Sequence, residues 1–245
     1  MTAVDRAWFS RTAKEYEAQA AGGDFPIDYS QLHPCDDRQG GAIFDAHYAR
    51  CDLWAAQRIE VARWREYQEY TADVRHVDVG SRLDGFVTHL LASRIDVMHV
   101  DVRAPGFEWP GFAFRQDDAR ALATFADASI DSLSCLHAAE HVGLGRYGDE
   151  LDADGMRKTM ASLARVLAPG GRLYFAVPIG RQRVCFNAHR IASPSWVAST
   201  FAALGLTLDE FAAVDDAGAW HPDARMADYE SASYSCGCFM LRRPS

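Results

Sequence analysis

Val77-Asp78-Val79-Gly80-Ser81-Arg82-Leu83-Asp84-Gly85-Phe86 decides the fold. Val77 and Val79 alternate around Asp78, the run stops at Gly80, and an apolar segment at helical spacing runs from Phe86 to Leu91. This is the pattern of a first parallel strand, a tight turn and the start of a helix. Without a Cβ, Gly80 lets the chain turn and lets a ligand approach the backbone. Parallel sheets hold nucleotide-like ligands at such a turn, at the carboxyl ends of their strands. The next apolar run, Asp96–Asp101, ends in an acid about 20 residues past the turn, where such sheets bind ribose hydroxyls.

Outward from this stretch, strands and helices alternate. Strands are predicted at His76–Val79, Asp96–Asp101, Phe112–Arg115, Ser132–Leu136 and Leu173–Val177, and helices at about Asp84–Ser93 and Asp154–Leu167. The second helix carries Met156, Met160, Leu163 and Leu167 on one face and is stopped by Pro169-Gly170-Gly171. A further helix starts at Ser193 as N-cap with Pro194 in its first turn. Two late strands, Leu206–Ala213 and Ser235–Leu241, have no helix between them and suit an antiparallel pair. The long acidic loop joining them reads as functional or mobile. The expected class is α/β: a Rossmann-like, doubly wound, mostly parallel sheet with an antiparallel last strand. Upstream, residues 1–20 read as an amphipathic helix, 21–43 as loop, and Asp45 to Tyr70 as a long helix with Trp54 and Trp64 in the core. Residues 1–74 are expected to form an N-terminal helical cap and lid on a core domain of residues 75–245.

The 245 residues suit a single core domain, and the 49% apolar content marks a globular chain. The formal net charge of −9 argues against a nucleic-acid partner and against an anionic membrane surface. No apolar run approaches the ~18 residues of a spanning helix. The first residues lack a signal-peptide core, so a cytoplasmic location is the expectation. Cys35, Cys51, Cys135, Cys185, Cys236 and Cys238 include no CxxC pair and read as free thiols. Cys236-Gly237-Cys238 alone makes a poor metal site.

Five segments then converge in order: Val-Asp-Val-Gly at 77–80, Val-Asp-Val-Arg at 100–103, Gln-Asp-Asp-Ala at 116–119, Cys-Leu-His-Ala-Ala-Glu-His-Val at 135–142 and Leu-Ala-Pro-Gly-Gly-Arg-Leu at 167–173. With them the chain resembles a class I S-adenosylmethionine-dependent methyltransferase, in detail over residues 75–180. More narrowly, His137 to Asp149 followed by Phe186-Asn187-Ala188-His189-Arg190 is similar to methyltransferase-like proteins of surface-polysaccharide gene sets. The resemblance implies S-adenosyl-L-methionine as cofactor and a small-molecule acceptor, foremost a hydroxyl of a sugar or related metabolite. It implies that Gly80 and Gly85, with Asp78 in the same set, border the methionine part. Asp101 would accept from the ribose hydroxyls, and Asp117 or Asp118 would contact the adenine amino group beside Ala119. Arg82 departs from the family's turn, which usually has glycine there, and sets a bulky positive group beside a sulfonium. Two other classes stay open: a non-catalytic binding or scaffold protein of the same fold, and a dinucleotide-dependent oxidoreductase. Pro169-Gly170-Gly171 and the final strand pair speak against the second.

His137, just past the fourth strand, reads as a cofactor contact and general base, or as a hydrogen-bonded loop histidine. His189 is the other catalytic candidate. Glu140 and His141 stand at i+3 and i+4 from His137. Their ordinary role is packing, and a divalent ion shared with His137 and His189 is the sharper alternative, though no metal is assigned. Arg146 and Tyr147, in the glycine-rich segment 143–149, and Arg190, grouped with Arg181, Arg183 and Asn187, read as substrate-binding because guanidinium groups match carboxylates and phosphates. Solvated loops are the alternative. His47 and Tyr48 close over the cofactor or simply pack. The acceptor is expected between His137–Tyr147 and Arg181–Arg190.

Overall fold

The computed structural model describes residues 6–34, 46–66, 75–106 and 108–245. Strand β1 (Arg75–Val79) pairs in parallel with β2 (Asp96–Asp101) and β4 (Ile130–Leu136). In turn β2 pairs in parallel with β3 (Phe112–Gln116), and β4 with β5 (Leu167–Ile179). Strand β10 (Ser235–Arg242) then lies antiparallel to both β5 and β8 (Thr207–Val214), with β9 (Trp220–His221) at the edge. The resulting order is β3-β2-β1-β4-β5-β10-β8-β9. This is the expected mixed α/β fold, a mostly parallel sheet closed on one side by an antiparallel strand.

Both faces of the sheet are covered, which is why β5 reads as an unbroken apolar run. On one face Phe175 packs edge-on against Phe201 of α5 (Pro194–Ala203), with Met156, Met160 and Leu163 of α4 (Gly155–Val166) in the same core. Phe9 and Tyr16 of α1 (Arg6–Gln19) join that core. On the other face the neighbouring Tyr174 meets Trp54 of α2 (Ala46–Glu66), together with Phe86 and, from α3 (Thr88–Ala92), Leu90. The elements before residue 75 thus feed both apolar clusters. A hairpin of β6 (Arg183–Cys185) and β7 (His189–Ile191) lies under α1, where Phe186 contacts Phe9 and Tyr16.

Several boundaries differ from expectation for physical reasons. Helix α3 is entered through a π-helical turn, Leu83–Val87, rather than starting as an α-helix. Pro169-Gly170-Gly171 lies inside β5 after α4 ends at Val166, and Gly170 takes φ +78° there. The acidic loop is built, not bare. It holds β9 and a 3-10 turn at Met226–Tyr229, and Asp215 and Asp216 accept backbone N–H bonds from Ala217, Ala219, Ser233 and Tyr234. Residues 67–70 of the expected long helix, the Trp64 side chain and Cys35 lie outside the described residues. Among the described residues no helix is long and apolar enough to cross a membrane.

Asp52 ties α2 to the entry of α3. Its carboxylate accepts from the Phe86 N–H, and it occupies the place where a Cβ on Gly85 would sit. Burial pushes its pKa from the ordinary 3.8 up to about 7, with Asp78 adding to the rise and His137 opposing it. The folded chain therefore keeps this proton to about pH 7, whereas the unfolded chain releases it near 4. Because the native state binds the extra proton, this group makes stability fall as pH rises from about 4 to about 7. Asp52→Asn is expected to gain about 1–2 kcal/mol at pH 8 and nothing at pH 4, read from urea midpoints at the two pH values. An equal effect at both would contradict the buried-proton reading.

Candidate functional site

Because β1, β2, β3 and β4 are parallel, their carboxyl ends open on one edge, and a cleft of about 980 Å³ lies there. Its floor is Gly80-Ser81-Arg82 after β1. Its walls are Asp101–Pro105 after β2, Asp117–Arg120 after β3, His137 and His141 after β4, and Arg146–Asp149, with Tyr48 of α2 reaching over. Gly80 has φ +73°, and its N–H donates to Val100 O at 2.9 Å. A Cβ there would stand 2.9 Å from the Ala138 Cβ, so any side chain would be both strained and blocked.

Asp78 is a correction to the expected cofactor set. It is fully buried and lies behind the turn, away from the cleft. Its carboxylate accepts from Ser81 Oγ and Ser134 Oγ at 2.6 Å each and from His99 Nδ1 at 2.9 Å. Burial works to raise its pKa, but these donors outweigh it and hold the carboxyl below its usual range. Asp78 therefore builds the turn that faces the ligand. Gly85 is corrected too: it makes room for Asp52, and the cleft is elsewhere.

Of the other residues expected there, Gly80, Asp101, Asp117, Asp118, Ala119 and His137 line the cleft. Asp101 is held in place by Arg103, whose backbone N–H donates at 2.8 Å and whose Nε and Nη2 each donate at 3.1 Å. The Arg103 guanidinium lies 4.4 Å from the Tyr147 ring centre. Asp118 is paired with Arg120 in the same way, with Nη2 at 2.6 Å. Asp117 differs, because its oxygens already accept from the Asp118 and Thr124 N–H groups at 2.8 Å and from Thr124 Oγ at 2.6 Å. It folds the loop, which leaves Asp118 and Ala119 as the side chains that shape this end. The sequence did carry a sign of both arginines. Asp101-Val102-Arg103 and Asp118-Ala119-Arg120 repeat one Asp-x-Arg pattern at the ends of neighbouring strands.

His137 lines the cleft but presents no nitrogen to it. It sits at φ +52°, a left-handed conformation that only a well-determined surrounding sustains in a non-glycine residue. Its Nδ1 is 3.1 Å from Glu140 Oε1, its Nε2 is 3.3 Å from Cys236 Sγ, and the Tyr48 ring lies 4.4 Å from it. Burial acts against a charged ring, but Cys236 and Glu140 outweigh it and raise its pKa. With both nitrogens engaged inside, His137 is a fixed part of the wall and not the base it was expected to be. His189 is also corrected. It does not line the cleft, its ring sits 5.0 Å from Tyr234, and burial lowers its pKa to about 3.

His141, read from sequence as packing, has the better geometry. The Ala188 carbonyl accepts from its Nδ1 at 2.7 Å, which puts the proton on Nδ1 and a lone pair on Nε2. Glu140 Oε1 stands 3.6 Å from that Nε2, ready to stabilise an imidazolium. Burial lowers the His141 pKa, so the ring is neutral and can accept a proton. The 3-10 turn Ala139–His141, rather than the expected α-helical turn, brings these groups together. Among the described residues no three His, Cys, Asp or Glu side chains converge as a metal site.

Arg190 is the clearest correction. It is fully buried between the Tyr16 and Phe25 rings and donates to Val142 O at 2.6 Å and Asp152 O at 2.9 Å. Arg183 is buried likewise, on Gln31 Oε1 and Ser233 O. Among the described residues, none of 181–190 lines the cleft, so this segment is not the second wall that was expected. Arg146 and Tyr147 do line it.

The fold so assembled is that of class I S-adenosylmethionine-dependent methyltransferases. A Galdieria sulphuraria protein described as a sarcosine dimethylglycine methyltransferase superposes with TM-score 0.56 at 12% identity, over 96% of this chain and 98% of its own. The [4+2]-cyclase SpnF superposes with TM-score 0.54 at 17% identity, over 95% and 93%. The glycopeptide N-methyltransferase MtfA, in complex with sinefungin, superposes with TM-score 0.53 at 13% identity, over 86% and 92%. Residues 115–214 match a family model described as Caenorhabditis protein of unknown function, DUF268. No curated protein sequence is similar to the chain.

Proposed function

We propose that the protein is an S-adenosylmethionine-dependent methyltransferase acting on a small acceptor, foremost a sugar hydroxyl. One observation carries the cofactor: a turn at Gly80 with no room for a Cβ faces, across one cleft, the carboxylate of Asp101 at the end of β2. Gly80 and Ser81 would cradle the methionine part, Asp101 would accept from the ribose hydroxyls, and Asp118 and Ala119 would flank the adenine. When bound, the cofactor supplies a methyl group on a sulfonium. The chain's own contribution is to exclude water with Tyr48 and Tyr147, to orient the acceptor with Arg146, and to take its proton on His141 Nε2, backed by Glu140. Arg82 lies against Tyr48, its guanidinium 5.3 Å from the ring centre. The sugar acceptor accords with the similarity of residues 137–149 and 186–190 to methyltransferase-like proteins of surface-polysaccharide gene sets. Arg82 is also the observation that favours the second reading, a cofactor-free scaffold.

The test is a thermal melt with adenosylhomocysteine and, separately, with NAD. At 100 times the dissociation constant, a ligand stabilises by ~2.7 kcal/mol, which for a chain of this size is about 5–10 °C. Adenosylhomocysteine is expected to give that shift and NAD none. A shift with NAD alone would make the protein an oxidoreductase, and no shift with either would leave the scaffold.

A further inference from the structure

His99 lines the cleft without belonging to any of the expected sites. It stands on β2 between Asp78 of β1 and Phe114 of β3, and it is only 3% exposed. Its Nδ1 is 2.9 Å from Asp78 Oδ2. A carboxylate can only accept, so Nδ1 carries a proton and the ring has a fixed direction. Among the described residues no hydrogen bond reaches Nε2, yet this nitrogen is not sealed in as Glu140 Oε2 and Arg190 Nε are. The opening before it is the cleft. We infer that His99 Nε2 binds a ribose hydroxyl of the cofactor, beside Asp101.

Holding Asp78 does not by itself call for an imidazole. Asp78 Oδ1 already accepts from Ser81 Oγ and Ser134 Oγ at 2.6 Å each, and a short amide could supply the donor that Oδ2 receives. The imidazole adds a second nitrogen at the far edge of the ring. Phe112 and Phe114 flank the ring, with 6.2 and 6.5 Å between ring centres, and hold its plane. Position then selects the ligand atom. Residues two apart on a strand share a face, about 6.7 Å apart at Cα, so His99 stands on the face of Asp101 and one step deeper. Gly80 bonds to Val100 O between them, so the turn and both side chains meet at one place. A hydroxyl suits Nε2 in either protonation state, because it accepts from an N–H and donates to a lone pair. The ribose is the hydroxyl-bearing part of the cofactor. The inference rests on the cofactor reading of the cleft.

The experiment is calorimetry of the full chain with adenosylhomocysteine and with its 2′-deoxy and 3′-deoxy analogues. His99→Asn keeps a nitrogen donor near the Nδ1 position and deletes Nε2. His99→Gln keeps a nitrogen near the Nε2 position and deletes the Nδ1 donor. His99→Asn is expected to weaken adenosylhomocysteine about threefold to tenfold, the worth of one hydrogen bond, with its urea midpoint little changed. His99→Gln is expected to lose more stability and less affinity. With the analogue that lacks the contacted hydroxyl, wild type and His99→Asn should bind alike. In the unsubstituted chain labelled with 15N, the His99 Nε2 resonance should move when adenosylhomocysteine is added.

If wild type binds adenosylhomocysteine and folded His99→Asn binds it equally well, this inference alone is overturned. The same holds if the full His99→Asn loss persists with both analogues, if His99→Asn unfolds while His99→Gln does not, or if the Nε2 resonance stays in place. A wild-type chain that binds no adenosylhomocysteine would end the cofactor reading and this inference with it.

Discussion

Replacing Arg190 by methionine is expected to cost about 3–5 kcal/mol of folding stability and to leave adenosylhomocysteine affinity within about twofold. Among the described residues the guanidinium has no carboxylate partner and does not line the cleft. It donates to the Val142 and Asp152 carbonyls at 2.6 and 2.9 Å, with longer contacts to Glu140 O and Ala153 O at 3.4 Å. It thereby clamps the segment after β4 to the start of α4, under the rings of Tyr16 and Phe25. Methionine fills much of the volume but leaves Val142 O buried without a donor, at roughly 1–3 kcal/mol, and Asp152 O with only the Gly155 N–H. Lysine is not expected to rescue, because one ammonium cannot span both carbonyls. Urea denaturation reads the loss. Unchanged stability together with lost turnover would return Arg190 to the substrate role its sequence context suggested.

The second large effect concerns Asp101. Asp101→Ala is expected to weaken adenosylhomocysteine tenfold to a hundredfold, because hydrogen bonds to a charged group are worth about 1.5–3 kcal/mol. The residue lines the cleft with its side chain only 12% accessible, and Arg103 fixes its orientation. Stability should change little, since the lost partner is an arginine that is half exposed. Arg103→Ala should show part of the same loss, because the carboxylate then has no fixed direction. An unchanged affinity in folded Asp101→Ala, measured by calorimetry, would remove the ribose assignment.

The sheet was legible because its signals are local. Val77 and Val79 around Asp78, and the run Leu173–Val177, each report on their own neighbourhood, and each lies in the expected strand. The site was legible where it follows from strand ends, as at Gly80, Asp101 and Asp118. It was hidden where a partner comes from far along the chain. Gly85 reads as a ligand glycine until Asp52 of α2 is seen in the space it leaves. His137 reads as a base until Cys236 of the last strand takes its second nitrogen. Arg190 reads as a surface arginine because nothing nearby in sequence announces that α1 and the β4 segment will enclose it. His141 was undervalued for the converse reason: its tautomer is set by Ala188, a partner only the folded hairpin provides.

Isothermal titration of the full-length chain with adenosylhomocysteine tests the central claim most directly. Binding in the micromolar range at one equivalent per chain, abolished or weakened at least tenfold in Asp101→Ala, is the expected result. No heat of binding in the folded wild-type chain, at concentrations where the fold is intact, would contradict it.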